Sequence, residues 1–155
     1  MPDNLTLAQR SFCMSRVRSR DTAPEKRIRS LLHRQGLRFR KHARHLAGRP
    51  DIVFPGAQLV VFIDGDFWHG FRYPAWRHKV TEFWQTKIEG NRRRDVANQR
   101  RLRREGWIVL RLWEHQIDQD AERCVRYICT KLQARTRKVS RNRGATERVA
   151  GAVRR

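Results

Sequence analysis

The first candidates for chemistry in this sequence are a few acidic residues that stand beside short apolar runs. The chain has 36 Lys and Arg residues but only 15 Asp and Glu residues, so the position of each acid is informative. Asp51 follows Arg49-Pro50 at the start of a predicted strand, and Asp64 and Asp66 come directly after another. Mg²⁺ prefers oxygen ligands and usually takes one or two carboxylates from a protein. Adjacent strands would bring these acids together, although each acid alone is more typical of a turn.

An aromatic pair and a histidine, Phe67-Trp68-His69, follow these acids in a predicted loop. Large rings usually lie on buried strands or helices, so two of them in a polar loop are unusual. They indicate either a hydrophobic cluster under the loop or a surface on which bases stack. His69 is a candidate general base near neutral pH. A single loop histidine is more often solvated, and a nearby partner would favour the catalytic role.

Asp95 is the candidate partner for that histidine. It ends the cationic run Asn91-Arg-Arg-Arg-Asp95 on a predicted helix. One interpretation is an ion pair one helical turn away, near Asn91 or Gln99, which stabilises a helix by roughly 0.2–0.5 kcal/mol. The other is that Asp95 accepts the ring N–H of His69 and orients the ring. Spacing along the chain does not decide between the two.

The charge of the chain indicates the kind of molecule on which these groups act. A formal net charge of +21 on 155 residues repels itself unless a polyanion neutralises part of it. Nucleic acid is the commonest such partner, and a basic surface without a specific role is the alternative. Hydrolysis of a phosphodiester needs a metal that stabilises charge on the phosphate and a group that activates water. The acids and the histidine together could supply both.

Hydrophobic periodicity predicts the elements that must position these residues. Capping boxes at Thr6–Gln9 and Thr22–Glu25 predict two helices, the first through about Val17 and the second ending at Gly36. A long helix from about Glu82 to Glu105, with a possible break at Gly90, and a last helix capped by Asp118 follow. The predicted strands are Leu37–His42, Asp51–Phe54, Leu59–Ile63 and Trp107–Trp113. The expected class is α/β (α+β): a mixed central β-sheet with helices packed on it, in the order α-β-β-β-α-β-α.

The length suits one domain with one hydrophobic core, which we place at residues 1–134. Residues of about 6–18 form a predicted N-terminal helical arm, and residues 135–155 form a basic tail that we expect to be disordered. The sequence contains neither a signal-peptide pattern nor a run long enough to span a membrane. Cys13, Cys124 and Cys129 suggest no disulfide framework. A cytoplasmic bacterial protein associated with the nucleoid is therefore expected.

A set of motifs in this chain resembles the very short patch repair (Vsr) endonucleases, a family within the restriction-endonuclease-like PD-(D/E)xK superfamily. Each motif is moderately specific, and their order and spacing over roughly residues 8 to 118 make the set strong. The motifs are Ser11 to Met14, Arg20 to Lys26, Gly48-Arg-Pro-Asp51, Val61-Phe-Ile-Asp-Gly-Asp-Phe-Trp-His69, Glu82-Phe-Trp84, Lys87-Ile88, Asn91 to Asp95, Gly106-Trp107 and Trp113-Glu114.

The resemblance implies a restriction-endonuclease-like core and a Mg²⁺-dependent DNA endonuclease. Enzymes of this family nick one strand beside a T:G mismatch that arises when 5-methylcytosine is deaminated. Carried over by position, Asp51 would ligate Mg²⁺ together with the backbone carbonyl of Ile63. His69 would activate the attacking water and Asp95 would orient His69. Glu25 would lie in the outer shell of the metal, although it is also the last residue of a capping box.

The same resemblance implies a set of DNA contacts. Aromatic residues would wedge into the base stack beside the mismatch, where unstacking costs less than in a paired duplex. A residue of the N-terminal arm would approach from the other groove, and two residues of the long helix would contact DNA near the mispair. These positions are Phe67, Trp68 and Trp84 for the wedge, Met14 for the arm, and Lys87 and Asn91 for the helix. Lys87 is equally typical of an ordinary exposed cation.

This sequence departs from the family at two places. Relatives often hold a structural zinc near the loop, but the equivalent positions here are Asp66, Phe71 and Tyr73, with His115 near the remaining one. We therefore predict no zinc, and expect packing of Phe71, Tyr73, Pro74 and Trp76 to hold the loop instead. The family often has histidine where Asp64 stands. Asp64 is then a candidate metal ligand, a candidate for the lost contact with DNA phosphate through water, or neutral in its effect.

Three functions remain open on the sequence. The first is the mismatch-nicking nuclease, which would act as a monomer on mismatched double-stranded DNA. It would be functionally paired with a DNA cytosine-5 methyltransferase and with mismatch-repair proteins. The second is a related nuclease of restriction or phage-defence type that cuts other DNA. The third is a non-catalytic DNA-binding module, against which the joint presence of Asp51, His69 and Asp95 argues.

Overall fold

The computed structural model describes residues 6–16 and 20–152, without the side chains of residue 139 and residues 141–152. Within these residues, two helices precede three consecutive strands, two further helices precede a fourth strand, and a long helix follows it, with 3₁₀ turns at Pro55–Ala57 and Arg77–Lys79. The elements are α1 (Leu7–Arg16), α2 (Ala23–Arg34), β1 (Arg40–Lys41), β2 (Ile52–Phe54), β3 (Leu59–Asp64), α3 (Tyr73–Trp76), α4 (Glu82–Arg104), β4 (Ile108–Trp113) and α5 (Glu114–Ala152). None of the described helices is long and apolar enough to cross a membrane.

The four strands form one sheet in the order β1-β2-β3-β4. β1 and β2 pair antiparallel, as do β2 and β3, whereas β3 and β4 pair parallel with Asp64 opposite Trp113. The connection from β3 to β4 carries the aromatic loop, α3 and α4. A mixed sheet flanked by helices confirms the predicted α/β class and the restriction-endonuclease-like core.

The two faces of the sheet are covered by different helices. Leu59 and Val61 of β3 point into a core that also contains residues of α2 and α5. Val60 and Phe62 point the other way, where Leu102 of α4 packs. Because side chains alternate along a strand, Asp64 shares the face of Val60 and Phe62. The last residue of β3 therefore points towards α4.

The first two helices begin with the capping boxes that the sequence predicts. In the first box the Gln9 amide donates to Thr6 Oγ1 at 3.2 Å, and the Thr6 amide donates to Gln9 Oε1 at 2.8 Å. In the second, the Glu25 amide donates to Thr22 Oγ1 at 3.5 Å. The Glu25 carboxylate accepts the Thr22 hydroxyl at 3.0 Å and the Asp21 amide at 2.9 Å. Glu25 is thus fixed by the helix that it caps, and it is buried.

Three features of the helices and strands differ from the sequence-based prediction by more than a shift of one residue. The strand expected at Leu37–His42 pairs only at Arg40–Lys41, because it lies at the edge of the sheet opposite the short β2. α4 passes through Gly90 without a break. The last helix begins at Glu114 rather than Asp118, and it kinks at Asp120. Asp120 Oδ1 accepts the Arg123 amide at 2.9 Å, so Asp120 is the residue that caps the helix after the kink.

The structure describes the basic segment from residue 135 to Ala152 as a continuation of α5, where composition predicts a disordered tail. α5 continues through it to Ala152, and residues 153–155 lie outside the described residues. Arg135 fixes the start of this extension, since its guanidinium donates to Ala57 O at 3.2 Å and to Gln58 Oε1 at 3.0 Å. A helix already formed propagates readily through Ala, Arg and Lys without buried apolar contacts. The predicted arm of residues 6–18 is described only through Arg16, the last residue of α1.

Candidate active site

Asp51 lies at the start of β2, where a tight turn delivers it to the edge of β3. Gly48 and Arg49 before it both have positive φ angles, of 74° and 54°. Asp51 is then held by β3 at two points: its amide donates to Val61 O at 3.1 Å, and its Oδ2 accepts the Ile63 amide at 2.7 Å. The N–H and C=O of one strand residue point to the same side, so the Ile63 carbonyl faces Asp51 as well.

The electrostatic environment of Asp51 is unfavourable for an ionised carboxylate. Burial, with the nearby negative charges of Glu25 and Asp64, raises the pKa of Asp51 to about 7 despite the lowering effect of the Ile63 amide. A carboxylate in such a place gains most from a cation. The oxygen set of Asp51 and the Ile63 carbonyl suits a hard divalent ion such as Mg²⁺.

Asp64 ends β3 on the side of α4 and is buried. Its Oδ2 accepts a hydrogen bond from Nε of Arg111, on the neighbouring strand β4. Its Oδ1 lies 3.5 Å from Nε2 of His69. Burial raises the pKa of Asp64, although the charges of His69 and Arg111 oppose that rise. Asp64 therefore joins the end of β3 to the candidate base.

The structure brings His69 and Asp95 into direct contact. His69 Nδ1 lies 2.7 Å from Asp95 Oδ2, across 26 positions of sequence. A carboxylate only accepts hydrogen bonds, so Nδ1 is the donor and Nε2 is left without a proton in the neutral ring. Burial alone would lower the pKa of His69, but the carboxylates of Asp95 and Asp64 raise it overall. The contacts of Asp95 are thus with other elements rather than along its own helix.

Arg111 is the member of this cluster that sequence reasoning missed. Its Nη2 donates to Asp95 Oδ2 at 2.6 Å while its Nε donates to Asp64, so one guanidinium joins β3, β4 and α4. Burial would lower the pKa of Arg111, yet the two carboxylates raise it. The signal that could have found it is a charged residue inside the apolar run Ile108–Trp113.

Glu25 belongs to a second polar cluster, beside the cleft. Oxygen and nitrogen atoms of Asp21, Glu25 and His42 lie within 4.8 Å of one another, as they would around a metal ion. Arg29 already supplies a cation there: its Nη2 donates to Asp21 Oδ1 at 2.6 Å, and its Nη1 lies 3.6 Å from Glu25 Oε2. This cluster is accordingly an ion-pair network that orients Glu25 next to the candidate metal ligands.

One cleft of about 680 Å³ receives most of the residues predicted for the site. It is lined by the candidate metal ligands, the histidine and its partner, and by the arm residue, one aromatic and two residues of α4. The predicted residues in its lining are Met14, Glu25, Asp51, Ile63, Asp64, Trp68, His69, Lys87, Asn91 and Asp95. Phe67 and Trp84 are not part of this lining, and their rings contact the Trp68 ring.

The aromatic rings of the loop and Trp84 of α4 form one cluster of mostly edge-to-face contacts, which is both packed and partly exposed. The Phe67 ring lies 5.2 Å from Trp68, 5.8 Å from Trp76 and 5.5 Å from Trp84. Trp68 and Trp84 are 5.7 Å apart. Phe67 still exposes 38% of its surface. The two interpretations that the sequence left open are therefore compatible, because rings that support one another can also present an edge to DNA.

The N-terminal arm and α4 meet this aromatic cluster. Arg10 of α1 lies over the ring of Phe83, 5.2 Å from its centroid, which docks the arm beside the rings. Asn91 Nδ2 donates to the Trp68 carbonyl at 2.8 Å, so this side chain ties the loop to α4. Lys87 lies one turn earlier on α4 and is exposed in the cleft.

Packing and one short polar contact hold the loop at the positions where the family resemblance implies zinc ligands. Phe71 packs on Trp113 at 5.0 Å and on His115 at 4.4 Å, and His115 Nδ1 contacts Asp66 Oδ1 at 2.7 Å. Tyr73 is buried, and Trp76 Nε1 donates to the Phe71 carbonyl at 2.7 Å. Pro74, which we expected to contribute, is exposed.

Gly70 lets this loop approach α4 closely. Its φ is +65°, and an added Cβ would lie 2.8 Å from Arg92 Cδ and 2.9 Å from Ile88 Cγ2. A larger residue would be strained in its backbone and would push the loop away from the helix. The glycine after His69 thus helps to hold the imidazole against Asp95.

Comparison with known proteins agrees with this geometry. A family model described as DNA mismatch endonuclease Vsr matches residues 2–74. The chain is 44% identical over 119 residues to the type II nicking enzyme V.XorIIP of Xanthomonas oryzae, a match that covers 76% of this chain and 88% of that protein. It is 38% identical over 125 residues to the type II nicking enzyme V.NmeDIP of Neisseria meningitidis, covering 79% and 84% of the two chains.

A further relative carries the family description itself. The chain is 45% identical over 119 residues to the DNA mismatch endonuclease Vsr of Escherichia coli, which covers 74% of each chain. Identity at this level over most of both chains is shared by proteins of one fold and one family. The chain therefore belongs to the Vsr family of DNA endonucleases, which includes nicking enzymes.

Proposed function

We propose that this endonuclease uses Mg²⁺ to nick one strand of double-stranded DNA beside a T:G mismatch left by deamination of 5-methylcytosine. The observation that carries the proposal is the convergence of Asp51 and the His69–Asp95 pair in one cleft, beside Trp68. A carboxylate for a metal, a base for water and a ring for the base stack are then within reach of one phosphodiester.

The residues present fit a divalent metal. Asp51 is buried among other carboxylates, and the Ile63 amide already fixes the direction of its Oδ2. Asp51 and the Ile63 carbonyl would hold Mg²⁺, with Glu25 in the outer shell. Mg²⁺ supplies stabilisation of the charge that develops on the phosphate. Asp64 is the less favoured ligand, since Arg111 occupies one of its oxygens.

His69 is proposed as the general base. With Nδ1 donating to Asp95, the neutral ring presents Nε2 as a proton acceptor to a water in the cleft. Asp95 orients the ring and stabilises the positive charge that forms when Nε2 takes the proton, as an acid beside a catalytic histidine does. The short contact with a residue of α4 keeps the ring from rotating into the solvent.

Recognition of the mismatch is assigned to the aromatic surface and the arm. Phe67, Trp68 and Trp84 would insert beside the mispair, where the base step is already weakened. Met14 would approach from the other groove. Lys87 would contact phosphate, and Asn91 would place the Trp68 backbone as well as contact DNA. The family description of the E. coli relative, a mismatch endonuclease, supports this choice of substrate.

The same proposal carries three expectations about partners and place. A single-strand nick needs one active site, so the chain would act as a monomer. T:G mispairs arise where cytosine is methylated, so a DNA cytosine-5 methyltransferase and mismatch-repair proteins are the expected functional partners. The place of action is then the compartment that holds the chromosome, the bacterial cytoplasm.

A nicking assay on matched oligonucleotide duplexes tests the proposal. One strand is labelled, the duplexes differ only in a T:G or T:A pair, and each is incubated with Mg²⁺ or with EDTA. We expect a single nick beside the mismatch in the T:G duplex with Mg²⁺, and no product in EDTA. Equal cutting of both duplexes would indicate a nuclease with another target. Binding without cleavage under Mg²⁺ and Mn²⁺ would indicate a DNA-binding module.

A further inference from the structure

The cluster around His69 contains several carboxylates, and their negative charge would repel the phosphate of a bound DNA strand. Asp64 and Asp95 both lie within contact distance of His69, and Asp51 is close enough to Asp64 for their charges to interact. Asp64 is also almost fully buried, with 4% of its surface exposed. A buried carboxylate beside a phosphodiester repels it unless a cation intervenes.

Arg111 is that cation, and its contacts are specific. Nε donates to Oδ2 of Asp64, and Nη2 donates to Oδ2 of Asp95 at 2.6 Å. The guanidinium is itself held in place, because its Cζ lies 4.9 Å from the centroid of the Trp113 ring on the same strand. The arginine side chain is mostly buried, with 23% of its surface exposed.

The oxygen that orients His69 is shared with this arginine. Oδ2 of Asp95 accepts both His69 Nδ1 at 2.7 Å and Arg111 Nη2 at 2.6 Å. Two donors from different elements fix its position better than one donor would. Because β4 is rigidly paired with β3, Arg111 locks Asp95 of α4 to the same sheet that carries Asp51.

We propose that Arg111 is a positioning residue for the nicking reaction: it neutralises Asp64 next to the scissile phosphate and fixes the Asp95 oxygen that orients His69. This inference rests on the proposed function. It assigns Asp64 to an ion pair with Arg111 rather than to the metal. It also favours arginine over lysine, because Nε and Nη2 reach the two carboxylates from fixed positions on one planar group, which a single ammonium does not reproduce.

The test is the single-turnover nicking rate on the T:G duplex with Mg²⁺, measured beside the DNA dissociation constant in EDTA. Arg111→Met should lower the rate about 100-fold, the scale expected when a catalytic group is misplaced by about 1 Å. DNA binding should stay within about threefold, since Arg111 acts through Asp64 and Asp95. The nicking rate of Arg111→Lys should lie between the rates of Arg111→Met and wild type, because lysine restores the charge but not the planar guanidinium.

A charge-balanced double variant separates this role from a purely structural one. Asp64→Asn with Arg111→Met removes both charges, so it should nick about tenfold faster than Arg111→Met alone. It should remain slower than Asp64→Asn, which keeps Arg111 on Asp95. Arg126→Met is the matched control, because Arg126 pairs with Asp120 on α5, away from the cleft, and should nick at the wild-type rate.

The measured nicking rates test the role of Arg111 and the proposed function separately. A folded Arg111→Met variant that nicks within threefold of wild type would overturn the inference. So would a double variant no faster than Arg111→Met. If Arg111→Met does not fold, the double variant and Asp64→Asn are compared, and equal rates reject a role for Arg111 in placing Asp95. A wild-type chain that nicks no duplex with Mg²⁺ or Mn²⁺ would instead reject the proposed function.

Discussion

Nδ1 of His69 lies 2.7 Å from Oδ2 of Asp95, although His69 is in the aromatic loop and Asp95 is in the middle of α4. The contact forms because β3 delivers the loop to the side of the sheet on which α4 packs. In the proposed mechanism these two residues act as the general base and the acid that orients it.

The first prediction concerns this contact. Asp95→Asn should lower the nicking rate about 10³-fold, because an amide can hold the ring in the wrong tautomer and cannot stabilise the imidazolium. DNA binding should change little, since Asp95 is shielded by His69 and Arg111. Single-turnover nicking of the T:G duplex and a binding titration in EDTA measure the two effects.

Asp118→Asn is the matched control, since Asp118 is an exposed acid on α5. It should nick at the wild-type rate. If Asp95→Asn also retained nicking within tenfold of wild type, Asp95 would not orient the base.

The fold was largely predictable because its signals are local. The apolar run of β3 and the two capping boxes each depend on neighbouring residues, and the structure places them as predicted. The edge strand and the tail were not predictable in the same way. The pairing of β1 depends on the short length of β2, and the helicity after residue 134 depends on a helix that is already formed.

The sequence predicted most of the residues that line the cleft, but it did not predict which of them contact one another. Resemblance indicated which acids and which histidine would meet, but it did not show the contact partners of Asp64. Arg111 was overlooked because it is one arginine among many in a chain of +21 charge, although it stands inside an apolar run. Its importance appears only when the parallel pairing of β3 with β4 brings it next to Asp64.

The second prediction is a pH dependence of stability in the metal-free protein. Burial raises the pKa of Asp51 to about 7 from an ordinary value of 3.8, so the folded state holds a proton that the unfolded chain releases. The Asp51 carboxyl therefore destabilises the fold most at pH values above its folded pKa. Asp51→Asn should be more stable than wild type in EDTA at pH 8, with an advantage about 1–3 kcal/mol larger than at pH 5.

Urea unfolding at the two pH values measures this difference. Asp118→Asn again serves as the control, and its difference from wild type should not vary with pH. Added Mg²⁺ at pH 8 should stabilise wild type more than Asp51→Asn, because the Asp51 carboxylate is the charged ligand of the proposed site. An advantage of Asp51→Asn that is the same at pH 5 and pH 8 would contradict the assignment of a raised pKa.

The third prediction concerns the loop in which the family resemblance would place a zinc site and this sequence does not. The side chain of Phe71 cannot bind a metal, and Asp66 and His115 are already paired at 2.7 Å. A strong zinc chelator should therefore leave the melting temperature unchanged, and elemental analysis should find no stoichiometric zinc. Phe71→Ala should lower the free energy of unfolding by about 2 kcal/mol, because the Phe71 ring packs on Trp113 and His115.

Phe12→Ala is the control for that substitution, since Phe12 of α1 exposes 58% of its surface. It should lower the free energy of unfolding by less than about 0.5 kcal/mol. Urea unfolding compares the two variants. A melting temperature that falls on chelation, or equal stability losses in the two variants, would show that packing of Phe71 does not hold the loop.

The last prediction separates recognition from chemistry. Trp68 lines the cleft, and its ring is braced by Phe67 at 5.2 Å and Trp84 at 5.7 Å. Stacking on one ring contributes about 1–3 kcal/mol, so Trp68→Ala should reduce the ratio of T:G to T:A nicking about tenfold. The Mg²⁺ concentration for half-maximal rate should not move, because Asp51 is untouched. Tyr127→Ala, which removes an exposed ring from α5, should leave the ratio unchanged. An unchanged ratio in Trp68→Ala would mean that this ring only packs under the loop, and that the mismatch is read elsewhere in the cleft.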